Sequence, residues 1–366
     1  MKAFNCHEFQ RAPRKQSGTA LISVLLIFFV ATYITTEILD RVDQSIRRTS
    51  HLIAQDQAYV YAVSAEELAM QILLEDLKKD KEDNDGGAII DDLDEMWAQQ
   101  VWFPLPGGGI SAELKDAQSV FNLNAFQSRP TFAAKLLRRY MEDRELFEDI
   151  QEREVFIASI QDWLDANEEP QGEGAEDYYY MGLETPYRAA NAPFVSPSEL
   201  RLVRGMLPLQ YYPLAPQLMV LPESTPLNIN TLGDAWIESL PNIENPEEII
   251  EERSLEPFAS VDEALSGSVV LDEEDIDEEE SDEGEIDEEE EIAETDSNQS
   301  FDLDFFSVNS EYFNLIVDVT IDERQVRLSS LIYRPLSPSA EEPLIVLQRS
   351  RLHYYAPSFA DLPPES

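Results

Sequence analysis

The stretch SGTALISVLLIFFVATYITTEILDRVDQSIRR, residues 17–48, decides how this chain is anchored and how its first element folds. A glycine precedes an uncharged apolar run, Thr19–Thr36, which would form a helix of about 27 Å, close to the roughly 30 Å hydrocarbon thickness of a bilayer. Positive charge before such a run keeps that end in the cytoplasm, so we predict a transmembrane helix over 19–36 whose C-terminal side is exported. The leader, residues 1–18, sets Lys2, Arg11, Arg14 and Lys15 against the single acid Glu8.

This helix is predicted to continue into water over residues 37–85. No small-residue cleavage site follows the apolar run, and neither glycine nor proline occurs from Thr19 to Asp85. Apolar residues recur there at mostly three- and four-residue steps, which predicts an amphipathic stripe that packs on a partner surface. The stripe comprises Ile38, Val42, Ile46, Leu52, Ile53, Tyr59, Val60, Val63, Leu68, Ile72 and Leu73. A signal anchor with a helical stalk is the simpler alternative.

The junction resembles a class III prepilin signal, which prepilin peptidase cuts just after the glycine, here Gly18. Thr19 would then become the mature N-terminus and be N-methylated. Most members of that superfamily carry a glutamate at the fifth mature position, where this chain has Ser23. The glutamate meets the terminal amine of a neighbouring subunit inside the membrane, where an unpaired charge is expensive. Its absence is a feature of the K component of type II secretion, the large minor pseudopilin, and the chain resembles that family.

Further blocks along the chain are similar to the same family: residues 40–73, DAQSVFNLNAF at 116–126, residues 162–206 and TPLNINTL at 225–232. The resemblance implies a non-enzymatic, single-pass inner-membrane protein with its C-terminal domains in the periplasm. It also implies a place at the pseudopilus tip, with minor pseudopilins I and J as partners and the major pseudopilin below. A tip minor pilin of a type IV pilus is an alternative that differs in partners.

The expected fold class is α+β. The resemblance implies a pseudopilin fold, with the long helix packed on an antiparallel sheet and a large all-α domain inserted into it. We place the sheet in residues 99–123 and 300–352 and the inserted domain in 124–265, with SAM-like subdomains at about 120–222 and 223–265. Residues 353–366 are expected to form a flexible tail. The expected strands are Val101–Leu105, Gly109–Lys115, Gln118–Leu123, Phe305–Val308, Tyr312–Ile321, Gln325–Tyr333 and Leu344–Leu352.

An internal repeat supports two helical subdomains, because VFNLNAF at 120–126 is echoed by PLNINTL at 226–232. Each string is followed by segments of helical periodicity. We expect the four asparagines, Asn122, Asn124, Asn228 and Asn230, to cap helices or hold turns. The second string also resembles helix–hairpin–helix modules, which leaves a periplasmic DNA-uptake protein as an alternative. The surrounding acids oppose that use.

Charge and composition exclude several classes of protein. The formal net charge is −48, which argues against a nucleic-acid surface because phosphate binding relies on Lys and Arg. Residues 266–299 are expected to be a disordered acidic linker. The single cysteine, Cys6, lies in the leader, so the mature chain would have no disulfide. The three histidines are scattered, which leaves no histidine-based zinc or triad cluster.

The one site-like constellation is a run of carboxylates at residues 162–177, in which Gly172 and Gly174 allow tight turns. Oxygen-rich and free of histidine, it suits calcium, which K-family proteins bind in the inserted domain. The candidate ligands are Asp162, Asp165, Glu168, Glu176 and Asp177, with Asp165, Glu176 and Asp177 favoured. A solvated acidic loop is the alternative. Tyr187, Arg188 and Asn191 are expected to fasten the loop, with Arg188 pairing to one of its carboxylates.

Overall fold

The structure, a computed structural model, describes residues 19–83, 89–265, 302–322, 324–339 and 343–351. Predictions for the leader and Gly18, the acidic linker and the tail lie outside the described residues. The elements are α1 (Thr19–Asp83), β1 (Val101–Leu105), β2 (Gly108–Asp116), β3 (Phe121–Asn122), α2 (Ala125–Ser128), α3 (Pro130–Asp143), α4 (Ile150–Leu164), α5 (Asp177–Tyr180), α6 (Pro208–Leu214), β4 (Leu218–Met219), β5 (Leu227–Asn228), α7 (Asp234–Glu238), α8 (Pro246–Leu255), α9 (Val261–Leu265), β6 (Phe306–Ser307), β7 (Tyr312–Ile321), β8 (Arg324–Tyr333) and β9 (Ile345–Ser350).

The described residues from 89 to 351, which follow α1, are called the head. Part of the head is an antiparallel sheet of five strands in the order β1-β2-β7-β8-β9. Side chains along β7 alternate strictly between buried and half-buried, as expected for a strand with one face on a core. The β7–β8 hairpin turns at Asp322, whose φ is 52°. The predicted strands 101–105, 109–115, 312–321, 325–333 and 344–352 are confirmed within one or two residues.

The stalk helix α1 is unbroken from Thr19 to Asp83 and packs on one face of this sheet. Its contact face is built mainly from small residues, Ala58, Ala62 and Ala69, with Leu73 beyond them. Small side chains allow the helix to lie close to the strands. Buried Glu66 accepts hydrogen bonds from Ser330 of β8 and from Arg349 of β9, which fastens the helix across the sheet.

The predicted apolar stripe therefore divides into residues that pack on the sheet and residues that stay exposed, several of which precede the part of α1 that reaches the sheet. Its inner members, Leu73 with Tyr59, Val63 and Ile72, pack against the sheet. Its outer members remain exposed, although they are among the larger apolar side chains of the helix: Ile38, Val42, Ile46, Leu52, Ile53, Val60 and Leu68. The sheet is thus only one of the surfaces that this helix can contact.

The inserted domain has its own core, built from α2–α9 and from residues 305–308. Trp236 of α7 is fully buried and stacks between Phe121 and Tyr140, with ring centroids 5.3 and 3.8 Å away. The two halves of the domain therefore share one core. The helical segments expected after each repeat string are confirmed as parts of α3, α4, α7 and α8.

The internal repeat has a structural counterpart. Asn122 and Asn228 each accept a hydrogen bond from the backbone N–H two residues later, at 3.1 and 3.0 Å. Asn124 clamps the backbone N–H and C=O of Phe194, and Asn230 does the same to Phe258. These asparagines hold turns and distant loops, as expected.

Two strand predictions are wrong. Residues 117–119 form a short 3-10 helix, and the strand that follows, β3, pairs in parallel with β4 rather than joining the large sheet. Likewise β6, predicted as 305–308, pairs in parallel with β5. Each repeat string thus begins with a two-residue parallel pair, which depends on a partner that is distant in sequence. The first stretch of chain in the large sheet therefore ends at Asp116, instead of at residue 123 as predicted.

Candidate metal centre

Three of the predicted carboxylates meet where α4 ends and α5 begins. Asp162 lies in the last turn of α4, Asp165 is the residue at which that helix ends, and Glu176 directly precedes α5. One carboxylate oxygen from each residue lies within 4.8 Å of the others. The intervening loop brings Glu176 back over the end of α4, so a local sequence run becomes a three-sided cluster.

The loop is held in shape by backbone contacts. Asp162 Oδ1 accepts a hydrogen bond from the Gln171 N–H at 2.9 Å, and the Gln171 amide donates to Asp165 Oδ2 at 3.1 Å. Arg204 donates from Nη1 to the carbonyls of Glu173 and Gly174 at 3.0 and 3.1 Å. Gly174 is packed so closely that a Cβ there would lie 2.0 Å from Asp162 Oδ2. Glycine is therefore required where the loop passes the carboxylate.

The cluster contains more buried acceptors than the described residues can satisfy. Asp162 is 0% exposed and Glu176 4% exposed. Asp162 Oδ2 and both carboxylate oxygens of Glu176 have no hydrogen-bond partner among the described residues. Burial, followed by the charges of Asp162 and Asp165, raises the pKa of Glu176 to about 7. Buried oxygens without donors are costly unless a cation or proton joins them, and an all-oxygen set suits a hard cation such as calcium.

Asp177 and Glu168 are placed differently from the prediction. Asp177 Oδ1 accepts a hydrogen bond from the Ala189 N–H at 2.9 Å, and its Oδ2 lies 3.4 Å from Arg188 Nη1. The expected pairing of Arg188 with a loop carboxylate is therefore confirmed. Glu168 is exposed, and neither it nor Asp177 belongs to the group that the structure brings together.

The segment after α5 fastens the loop through aromatic contacts. Tyr187 stacks on Tyr180 with a centroid distance of 5.2 Å and donates its hydroxyl to the Leu202 carbonyl at 2.8 Å. Tyr180 in turn packs edge-on against Trp163 at 5.3 Å. Asn191 adopts a left-handed backbone conformation, with φ 45°, that asparagine tolerates well.

A second carboxylate group escaped the sequence reasoning. Asp76 and Asp80, one turn apart on α1, meet Glu95 from the segment between α1 and β1. Burial raises the pKa of Asp76 to about 7 and that of Glu95 to about 9, and neighbouring carboxylates add to both shifts. The only available signal was the i,i+4 spacing of two aspartates on a predicted helix, a pattern that exposed helices share.

The processing region agrees with the anchor prediction as far as it is described. The α1 helix begins at Thr19, and Ser23 lies on its exposed surface. Among the described residues, α1 is the one helix long and apolar enough to cross a membrane.

Comparison with known proteins places the chain. A family model described as type II secretion system (T2SS), protein K, matches residues 119–223. Type II secretion system protein K of Pseudomonas aeruginosa is 31% identical over 87% of this chain and 89% of its own length. The protein of the same name from Aeromonas hydrophila is 36% identical over 60% of this chain and 68% of its own length.

A solved structure agrees with both comparisons. A chain in the crystal structure of the GspK-GspI-GspJ complex from the enterotoxigenic Escherichia coli type 2 secretion system is 27% identical and superposes with a TM-score of 0.64. The match covers 84% of this chain and 100% of that chain. The expected α+β fold, a long N-terminal helix on an antiparallel sheet with a helical insertion, is confirmed. The chain therefore belongs to the type II secretion system protein K family and has the role of a minor pseudopilin.

Proposed function

We propose that this protein stands at the tip of the secretion pseudopilus. There it primes assembly and caps the fibre that moves folded proteins from the periplasm across the outer membrane. It would cross the inner membrane once, with the leader in the cytoplasm and the head in the periplasm. Prepilin peptidase would cut it after Gly18. This role is assembly without catalysis.

The observation that carries the tip position is the uncharged N-terminal part of α1, residues 19–36. From Thr19 to Thr36 the helix holds no ionisable carboxylate, and Ser23 occupies the position where related subunits place a glutamate. A subunit packed above would bring an N-terminal amine into the membrane with no counter-charge to meet it, which is expensive. Subunits can therefore follow below this chain but not above it.

The surface for those subunits is the outward face of α1. Ile46, Ile53 and Val60 recur at every seventh residue and each is about 60% exposed, a spacing typical of a seam between helices. The solved relative is in a complex of GspK with GspI and GspJ. We propose that the corresponding I and J components lay their own helices along this seam, with the major pseudopilin below them.

Co-purification tests this assignment. The full-length chain is expressed with its cognate I and J components, extracted in detergent and isolated through a tag on the chain. Ile53→Glu is expected to reduce recovery of both partners at least tenfold, because it buries a charge in an apolar seam. Gln55→Glu adds the same charge to an exposed polar position of the same helix and is expected to leave recovery unchanged.

Two results would contradict the proposal. One is recovery of both partners with Ile53→Glu at the wild-type level. The other is retention of type IV pilus components in place of the secretion pseudopilins, which would assign the chain to the tip of a type IV pilus.

We further propose that Asp162, Asp165 and Glu176 hold a calcium ion in the head. Three buried oxygens that find no hydrogen-bond donor in the described part of the chain support this assignment. The ion would offset two of the three negative charges and fix the loop between α4 and α5. That loop leads directly to Asp177, which contacts Ala189 and Arg188. Its place in the mechanism is structural: it makes the cap rigid, and it takes no part in chemistry.

A further inference from the structure

The second carboxylate group lies where the stalk helix enters the head. Asp76 and Asp80 face the same side of α1, and Glu95 approaches them from the segment that leads to β1. One oxygen from each lies within 4.8 Å of the others. Glu95 Oε2 accepts hydrogen bonds from the Trp97 indole at 2.5 Å and from the Asp92 N–H at 3.3 Å. These two contacts fix the orientation of the glutamate within its own segment.

The nearest cation to this cluster, Arg334, is paired mainly with Asp91, which is not one of the three clustered residues. Arg334 is fully buried, and its Nη2 donates to both oxygens of Asp91 at 2.6 Å, while Nη1 reaches Asp76 at 3.2 Å. Lys79, beyond the cluster, acts on Asp80 only weakly. Among the residues that the structure describes, Asp76, Asp80, Asp91 and Glu95 thus face the guanidinium of Arg334, with Asp92 and Lys79 at the edge.

Asp80 provides a separate indication of a missing ligand. Its side chain is 8% exposed, and the carboxylate receives one backbone hydrogen bond, from Ile90. Its Oδ2 is shielded from solvent and has no hydrogen-bond partner among the described residues. Buried carboxylate oxygens normally accept hydrogen bonds. An oxygen that loses its water on burial and gains no donor destabilises the folded state. An anionic oxygen in this condition, with two further carboxylates within reach, is suited to a cation.

We propose that Asp76, Asp80 and Glu95 bind a hard divalent cation, calcium, at the junction between stalk and head. Carboxylate oxygens without histidine or cysteine favour such an ion over a transition metal. This site is distinct from the cluster around Asp162 and does not rest on the proposed tip position.

We expect a bound cation to fix the stalk helix to the segment that carries Glu95. Next to the site, the Asp91 N–H donates to the Val308 carbonyl at 3.0 Å, and Asn228 donates to the Asp91 carbonyl at 3.0 Å. Trp97 of the same segment packs edge-on against Phe313 of β7, with ring centroids 5.1 Å apart. The segment that carries Asp91 and Glu95 therefore contacts both the inserted domain and the sheet. A cation that draws α1 onto this segment would lock the direction of the stalk relative to the cap.

Calcium titration of the full-length protein in detergent tests the site. We compare the wild type with Asp80→Asn, with Asp162→Asn and with the double variant by calorimetry, after removal of metal with chelator. Each single variant is expected to bind one fewer tight calcium ion than the wild type, and the double variant to lose both. Asp94→Asn, an exposed change of the same chemistry in the segment of Glu95, is expected to match the wild type.

A local reporter separates this site from the other acids of the chain. The Trp97 indole lies in hydrogen-bond contact with Glu95, so a terbium ion bound there would be sensitised by tryptophan excitation. Asp80→Asn is expected to lose a component of that emission that Asp94→Asn retains. In chelator, Asp80→Asn should be at least as thermally stable as the wild type, because it removes one of the repelling charges.

The proposal is overturned if Asp80→Asn keeps the calcium stoichiometry and terbium emission of the wild type. If Asp80→Asn does not fold, Glu95→Gln takes its place, since glutamine can still accept from Trp97. Wild-type calcium binding by that variant would equally overturn the site. Loss of calcium only on Asp162→Asn would leave the head site in place and refute the junction site.

Discussion

Gly174→Ala offers the sharpest test of the calcium site in the head. The added Cβ would lie 2.0 Å from Asp162 Oδ2, whereas ordinary contacts begin near 3.4 Å, so the carboxylate must retreat by about 1.4 Å. Calcium–oxygen distances are about 2.3–2.6 Å, and such a shift removes Asp162 from coordination. Asp162 cannot simply swing away, because it is fully buried and its Oδ1 is held by the Gln171 N–H at 2.9 Å.

The expected loss of affinity follows from this displacement. Changes to residues that only orient a ligand cost roughly 10–100-fold in metal affinity, and displacement of a ligand should reach the upper end. We expect about 100-fold weaker calcium binding, equivalent to about 2.8 kcal/mol. In chelator the variant should still be less stable than the wild type, because the clash of the added Cβ with the buried carboxylate does not depend on the ion.

The measurement is a calorimetric titration of the full-length protein, restricted to the tight binding phase that Asp162→Asn removes. Gly233→Ala is the matched control, since a Cβ there lies 3.7 Å from its nearest neighbour and the φ of −57° suits alanine. Affinity of Gly174→Ala within threefold of the wild type would refute the assignment of Asp162 as a ligand. An equal loss in Gly233→Ala would refute the steric reasoning.

Three further predictions concern the junction, pH and processing. Arg334→Met leaves buried Asp91 without its ion-pair partner and should lower the free energy of unfolding in urea by about 3–5 kcal/mol. Arg327→Met removes a half-exposed ion pair and should lower it by about 1 kcal/mol or less. Equal losses in the two variants would contradict this prediction. The raised pKa of Glu176, about 7, means that protons compete with calcium, so affinity should be about tenfold weaker at pH 6 than at pH 8. Without metal, folding stability depends on pH in the opposite direction to calcium affinity. The stability contributed by protonated Glu176 should be lost as pH rises from about 4.5 to 7. Folding stability that does not change over this pH range would contradict the burial argument. Gly18→Ala should abolish maturation, seen as a heavier band on immunoblots, and normal maturation would remove the basis of the prepilin assignment.

Elements with a strong local period were predictable. The alternation along β7 and the absence of glycine and proline from α1 are both visible in the sequence, because each follows from side chains within a few residues. The pairs β3–β4 and β5–β6 were not predictable in the same way. Phe121 pairs with Leu218, and Leu227 with Phe306, so these contacts depend on how the intervening domain folds.

The candidate metal centre shows the same division. Asp162 and Asp165 are neighbours on the end of one helix, and their meeting is a local matter. Glu176 and Asp177 are adjacent in sequence, yet one enters the cluster and the other caps the backbone at Ala189. The sequence could identify the run of carboxylates. It could not show which of two adjacent side chains is a ligand, because adjacent side chains point in different directions.

The sequence by itself determined the apolar, membrane-length start of α1, the continuous stalk and the family, because hydrophobic length, helix continuity and long motifs are properties of consecutive residues. The tertiary structure alone decided which apolar residues of the stalk stay exposed, since Ala62, Ala69 and Leu73 face the sheet and Val60 and Leu68 do not. It alone also brought Glu95 to Asp76 and Asp80, because a carboxylate outside any periodic element finds its neighbours only when the stalk and head pack together.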